Sequence, residues 1–216
     1  DEWDLVADVV VVGSGAAAGS AAATAAAAGA QVVVLEKASW VGGTTARSGG
    51  VMWVPNNPVM AEMGLVDERD DAVRYMARTA FPTRYQADHP TLGLRENNLR
   101  LIEAFYDHGR AALEHLCSIG ALTLEHVPYP DYYADLPVDK APFGRTLKPI
   151  FPEGWTRGIS PTGGQILADM YIDAAVTHGA QLRLEHEVRH VIRDDAGRVI
   201  GVEARAGTRT VIIGAR

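Results

Sequence analysis

One cysteine, Cys117, stands in the whole sequence. A single thiol excludes a disulfide framework within the chain, and no Cys/His spacing fits a zinc site. Cys117 falls in an apolar helical pattern, where a thiol packs as a small hydrophobe rather than acting as a nucleophile. Positive charge is also scarce: 20 Lys and Arg stand against 27 Asp and Glu, a net charge of −7. Nucleic-acid partners need clustered cations, and no basic stripe is present, so no nucleic acid is expected. Arg47, Lys140, Arg145 and Lys148 are left as candidates for a local anion. A membrane-length apolar run is missing too. The alanine tract of 15–29 is too weakly apolar, and too interrupted by Gly and Ser, to span a bilayer. The opening DEWD is acidic and leads straight into a strand, unlike a signal peptide, so a cytoplasmic protein is expected.

What remains is ordinary for a soluble globular chain: 47% hydrophobic and 22% charged residues over 216 positions, enough for one large domain or two small ones. The run LVADVVVVG, 5–13, reads as a buried parallel strand. Alanine-rich 15–29 reads as a helix ended by Gly29, and QVVVLE, 31–36, as a second buried strand. Together they form a right-handed β-α-β unit. Residues 37–58 read as irregular, 67–80 and 96–119 as helices, and 121–126 as a short strand. A long ordered loop rich in Pro, Tyr and Gly is expected over 127–162, and loops of that length are usually functional. Helix 164–178 then precedes three alternating strands, AQLRLEHEVRHVIRD, GRVIGVEARA and TRTVIIGAR. The fold class is α/β: a Rossmann-like dinucleotide-binding domain with a parallel sheet, helices and an additional β-meander.

Gly13, Gly15 and Ala18 fit G-x-G-x-x-[GA] between a strand and a helix, the context that gives this pattern meaning. The first Gly permits a tight turn, the second lets backbone approach a pyrophosphate, and the third position must stay small. The helix start then offers free amides and a positive dipole end to phosphate. Glu36 ends the second strand, 23 positions after Gly13, where an acid can accept from ribose hydroxyls and repel a 2′-phosphate. Turn, helix and acid do not separate NAD from FAD. The next segment, EKASWVGGTTARSGG at 36–50, adds glycine pairs and hydroxyls that suit close passage of a ligand.

From DVVVVGSGAAAG through GGTTARSGGVMWVPNN, the sequence resembles the N-terminal FAD-binding segment of the fumarate reductase/succinate dehydrogenase flavoprotein superfamily. Within it, the sequence is most similar to 3-ketosteroid dehydrogenases, which carry a similar GGTT–SGG–W–PNN run. The likeness continues through YPDYYADLP, GRTLKP and TGGQILADMYIDAAVTHGAQLRLEHEVRHVI, and covers essentially the whole chain. It implies non-covalent FAD. Gly13, Gly15 and the backbone of Ala16 and Ala17 would hold pyrophosphate, with Glu36 and Lys37 at the adenosine ribose. Gly43, Thr44, Thr45, Ser48, Gly49 and Gly50 would run past the pyrophosphate toward the flavin. Val188 matches the position whose backbone meets adenine. The implied partners are a small hydrophobic substrate and an external electron acceptor.

The resemblance also implies hydride exchange at flavin N5, with tyrosines handling the proton and the carbonyl. Tyr129, Tyr132 and Tyr133, in VPYPDYY, are the catalytic candidates. A strict match to the family register places Val127 where the steroid enzymes have a pocket tyrosine. These aromatics fit a substrate pocket or, alternatively, a staple holding a Pro-rich loop to the core. The loop's Tyr and Trp content, Trp155 included, favours an apolar substrate over a small unsaturated acid. His186 and His190 are read as sharing a charged, solvated strand face rather than a metal site. His126 is a weaker pocket candidate. Family members continue beyond a segment like TRTVIIGAR into a further strand and a capping catalytic domain. The chain is therefore expected to be the incomplete N-terminal part of one FAD-binding domain, 1–216, with 127–162 on the substrate side. The missing half is then a possible separate chain, and a nucleotide-binding fragment without catalysis is the alternative.

Overall fold

The computed structural model describes residues 3–151, 153–154 and 162–216. The chain divides into two compact units, one of Asp1–Gly50, Leu116–Thr123 and Phe151–Arg216, the other of Val51–His115 and Leu124–Ile150.

In the first unit the opening apolar run is two strands rather than one. Strand β1 (Leu5–Ala7) and strand β2 (Val9–Val12) are divided at Asp8 and enter different sheets. The Asp8 carboxylate accepts the Gln31 amide at 2.8 Å, and the Asp8 and Val9 amides both donate to the Gln31 carbonyl. A short polar side chain that bonds neighbouring backbone competes with a continuous ladder, and here it marks the switch. Strand β3 (Val32–Leu35) lies between β2 and β7 (Gln181–Arg183), parallel to both. All four β3 side chains are buried, as a central parallel strand requires.

The connection from β2 to β3 is helix α1 (Ala16–Ala27), whose Gly19, Ala22, Ala23 and Ala26 are buried. These small residues let α1 close against helix α5 (Gly163–Thr177): a Cβ on Gly19 would sit 2.6 Å from the Tyr171 Cβ. Helix α5 is apolar nearly all round and correspondingly buried.

The last three sequence-predicted strands become four, because AQLRLEHEVRHVIRD also changes sheet. Strand β7 ends the parallel sheet, Glu185 adopts φ +56°, and β8 (His186–Arg193) begins a meander with β9 (Val199–Ala206) and β10 (Arg209–Ala215). The sheet order is β1-β10-β9-β8, with β1 parallel to β10 and the rest antiparallel. Its core joins Ala7, Val202, Ala204 and Ile213 to Val33 and Leu35 of the parallel sheet.

The second unit holds strand β4 (Met52–Trp53), helices α2 (Pro58–Glu62) and α3 (Arg69–Ala80), and most of α4 (Glu96–Ser118). Strands β5 (Leu124–His126) and β6 (Thr146–Pro149) complete it. Strand β6 pairs antiparallel with both β4 and β5, so the stretch expected to be one long loop contains a central strand. Val73, Met76, Ala77, Leu92 and Leu94 form the core of this unit. Among the described residues no helix is long and apolar enough to cross a membrane.

Candidate dinucleotide cleft

The first unit carries a cleft of about 630 Å³ between the glycine turn and the segment after β3. Gly13, Gly15, Ala16, Ala17, Glu36 and Lys37 line it, as do Gly43, Thr44, Thr45 and Val188. Ten of the thirteen expected cofactor residues therefore converge on one concavity. Gly13 has φ +90°, a conformation that a side chain rarely adopts, and its amide donates to the Leu35 carbonyl at 2.7 Å. Gly15 caps α1 without a side-chain hydrogen bond, and no acid sits in the first turn. That leaves the dipole end of α1 open to an anion.

The helix start is not wholly bare. The Ala16 amide already donates to Thr45 Oγ1 at 3.0 Å. A Cβ on Gly15 would lie 3.3 Å from the same oxygen, so the second glycine is needed for the close approach of Thr45 as well as of a ligand.

Glu36 is 5% exposed and engaged on both oxygens. Oε2 accepts the Ser14 hydroxyl at 2.5 Å and Oε1 accepts the Ala38 amide at 2.8 Å. Ser14 Oγ in turn accepts the Gly42 amide at 2.9 Å. Ser14 was not a sequence candidate, because it occupies a free position of the glycine pattern. Its signal was its place between two glycines, next to a buried strand end. Glu187 also lines the cleft unannounced. Hydrogen bonds from Arg189 first, and from Arg205, hold its carboxyl below the usual carboxylate range.

Ser48, Gly49 and Gly50 do not line the cleft. Gly50, at φ +74°, packs on the Gly163 carbonyl, and Gly163 packs on that of Gly49. The Gly164 amide donates to the Ser48 carbonyl at 3.1 Å. These glycines allow the chain to meet the start of α5, backbone on backbone. Ser48 Oγ is used locally, on the Thr45 carbonyl and the Gly50 amide.

The tyrosine candidates belong to the second unit. Tyr132 and Tyr133 stand edge to face, 5.0 Å between centroids, on an apolar cleft of about 440 Å³ with Trp53, Tyr75, Ile102 and Phe105. Tyr129 is 70% exposed and does not line it. Trp53 stacks on Tyr75 and on Phe105. Burial raises the Tyr75 phenol above its ordinary range, and its oxygen accepts the Tyr133 amide. Trp155 lies outside the described residues.

Arg145, a sequence candidate for an external anion, is spent inside the protein. Its guanidinium is fully buried and meets Asp67, Asp131 and Asp139 at 2.8, 2.6 and 3.0 Å. Its far face covers the Trp53 and Tyr75 rings. Lys148 pairs with Glu125 at 3.0 Å. The two strand histidines do not share a face: a bulge between Val188 and His190 turns them to opposite sides of β8. No cluster of metal-ligating side chains occurs among the described residues.

The donor set, a largely open helix start beside a left-handed glycine turn with an acid at the next strand end, fits a dinucleotide that lacks a 2′-phosphate. The comparisons with known proteins agree. Over 76% of its length the chain is 36% identical to the 3-oxosteroid 1-dehydrogenase of Mycolicibacterium smegmatis, covering 28% of that protein. Over 94% it is 34% identical to the 4-oxocyclohexanecarboxylate 2-dehydrogenase of Sinomonas cyclohexanicum, covering 41% of it. The 3-ketosteroid Δ1-dehydrogenase of Sterolibacterium denitrificans, solved with 1,4-androstadiene-3,17-dione, superimposes with a TM-score of 0.72 at 26% identity, over 98% of this chain and 46% of that one. The chain thus spans less than half the length of these relatives. The family model described as "FAD binding domain" matches residues 8–216, and the chain belongs to that FAD-binding family.

Proposed function

We propose that this chain is the FAD-binding portion of a flavin-dependent dehydrogenase that desaturates a carbon–carbon bond next to the carbonyl of a hydrophobic cyclic ketone, such as a 3-ketosteroid. The observation that carries the reading is the cleft, in which the turn at Gly13–Ala17, Thr45 and Glu36 converge. The α1 amides and the Thr45 hydroxyl would bind pyrophosphate, Glu36 and Lys37 the adenosine ribose, and the Val188 backbone the adenine. Bound FAD supplies a two-electron acceptor that takes a hydride from one ring carbon.

The proton on the neighbouring carbon must leave as well, and a carbonyl next to it spreads the resulting charge. Tyr132 and Tyr133 are the candidates for handling that proton or donating to the carbonyl, and Tyr129 stands with them on the same loop. The apolar walls of the second cleft support a hydrophobic substrate. Both curated relatives named above act, by their names, on ring ketones. An external acceptor would reoxidise the flavin.

The test begins with colour. The purified chain is expected to retain a flavin released by heat and identified as FAD. A chain that refuses FAD on reconstitution and binds NAD instead would defeat the reading. A protein that includes the remainder of such an enzyme is then mixed anaerobically with a saturated 3-ketosteroid. Bleaching of the flavin supports the substrate class. Bleaching by a small saturated acid alone excludes it.

A further inference from the structure

Ser14 sits at a position that the glycine pattern leaves free, yet it is 1% exposed and its hydroxyl both donates and accepts, bonding two partners. Its proton goes to Glu36 Oε2 at 2.5 Å, and its oxygen accepts the Gly42 amide at 2.9 Å. On the far side of the same carboxylate, Oε1 accepts the Ala38 amide at 2.8 Å. The terminal torsion of a glutamate is soft, so a carboxylate held by one oxygen alone swings freely about it. Here both oxygens are held, one from the turn and one from the loop. An ionised carboxylate offers about four lone-pair sites, so each oxygen keeps one for a ligand. A ribose diol presents two donors at a fixed spacing and gains most from two acceptors already in place.

We propose that Ser14 is a positioning residue of the cofactor site. It acts through Glu36, fixing the carboxylate plane in which the ribose hydroxyls are accepted, and it ties the 38–42 segment to the phosphate turn. The inference rests on the cleft reading given above. No other described side chain bonds both the strand-end acid and the loop after it. Charge-assisted bonds of this kind are among the stronger ones, so the effect should be measurable at a single site.

The test uses the 216-residue chain without catalysis, and two probes, ADP and 2′,3′-dideoxy-ADP, measured by calorimetry. The wild type should prefer ADP by about tenfold, the scale of one hydrogen bond to a charged group. Ser14→Ala should cut that preference to about twofold, by weakening ADP and leaving the dideoxy probe nearly unchanged. Hydrogen exchange without ligand should quicken at Ala38, which touches Glu36 but not Ser14, as well as at Gly42. Protection in β3 should stay as it was. Ser14→Cys keeps the size with a weaker donor and should fall between the two; it decides the matter if Ser14→Ala loses protection throughout.

A retained ADP preference in both variants, or equal weakening of both probes, overturns the inference while leaving the cofactor reading intact. A wild type that binds neither FAD nor ADP overturns the cofactor reading and this inference with it.

Discussion

The Ala16 amide donates to the Thr45 hydroxyl, joining the start of α1 to a segment 29 residues later in the chain. A hydroxyl that accepts still has its own proton to give, so Thr45 can hold the helix start and donate to a phosphate oxygen at once. Thr45→Val keeps the shape and removes both abilities. FAD affinity should fall about tenfold, the worth of a charge-assisted hydrogen bond, while the ligand-free chain melts within a few degrees of the wild type. Thr45→Ser should bind nearly as the wild type does. Flavin fluorescence titration and calorimetry check both statements, and unchanged binding in Thr45→Val would remove Thr45 from the phosphate site.

Two glycines of the same segment should behave differently. Gly43 has φ +50°, but a Cβ there meets nothing within 4 Å. Gly43→Ala carries only the left-handed backbone cost, on the order of 1–2 kcal/mol. At Gly50 the φ is +74° and a Cβ would overlap the Gly163 carbonyl, so backbone must move. Gly50→Ala should therefore cost more than about 3 kcal/mol, strain and overpacking together. Urea unfolding of the two variants side by side measures the difference. Equal losses would mean that the contact between the 49–50 glycines and α5 is dispensable.

The glycine turn could be read from the sequence because there a residue type and a backbone conformation are nearly the same information. Gly13 must reach φ +90°, and few residues other than glycine do so. The β-α-β unit followed from it. The two sheet switches could not be read in the same way. A single charged residue, Asp8 or Glu185, does not by itself end a strand pattern, and a strand that changes partners keeps burying its side chains on either side of the switch. Alternation also gave His186 and His190 one face, because a bulge leaves no mark on composition. Arg145 looked like a free cation. Its three carboxylates come from positions 67, 131 and 139, and only folding gathers them. Glycine 50 signalled close approach, and the structure sets the 49–50 backbone against the start of α5. A glycine reports that something comes near, not what it is.

Among the described residues, Arg145 is the one cation paired with the three buried carboxylates of Asp67, Asp131 and Asp139. Replacing a buried ion network outright can be neutral, but removing one partner strands the others in low dielectric. Arg145→Met should therefore destabilise the second unit by about 3–5 kcal/mol. It should also disturb Trp53, whose ring lies 5.5 Å from the guanidinium carbon. Arg145→Lys keeps the charge but cannot fork between Asp67 and Asp131, so it should recover only part of the loss. Denaturant unfolding followed by tryptophan emission reads both effects. A loss under about 1 kcal/mol, the range of an exposed pair, would contradict the burial argument.

Stability at alkaline pH should depend on Tyr171. Its side chain faces Gly19 across the α1–α5 contact, and burial, with a smaller contribution from nearby Cys117, pushes its phenol up to about 12. The unfolded phenol ionises near 10, so above that pH the unfolded state releases a proton that the folded state keeps. The folded state's advantage is thus complete below about pH 10 and is lost as pH rises through about 12. Two pKa units correspond to a loss on the order of 2–3 kcal/mol. Tyr171→Phe cannot ionise and should show a flatter decline over the same interval, whatever its stability at neutral pH. Unfolding free energies of both proteins at pH 9 and near pH 11.5, with phenolate absorbance followed in parallel, test this. Identical slopes would show that some other group sets the alkaline limit.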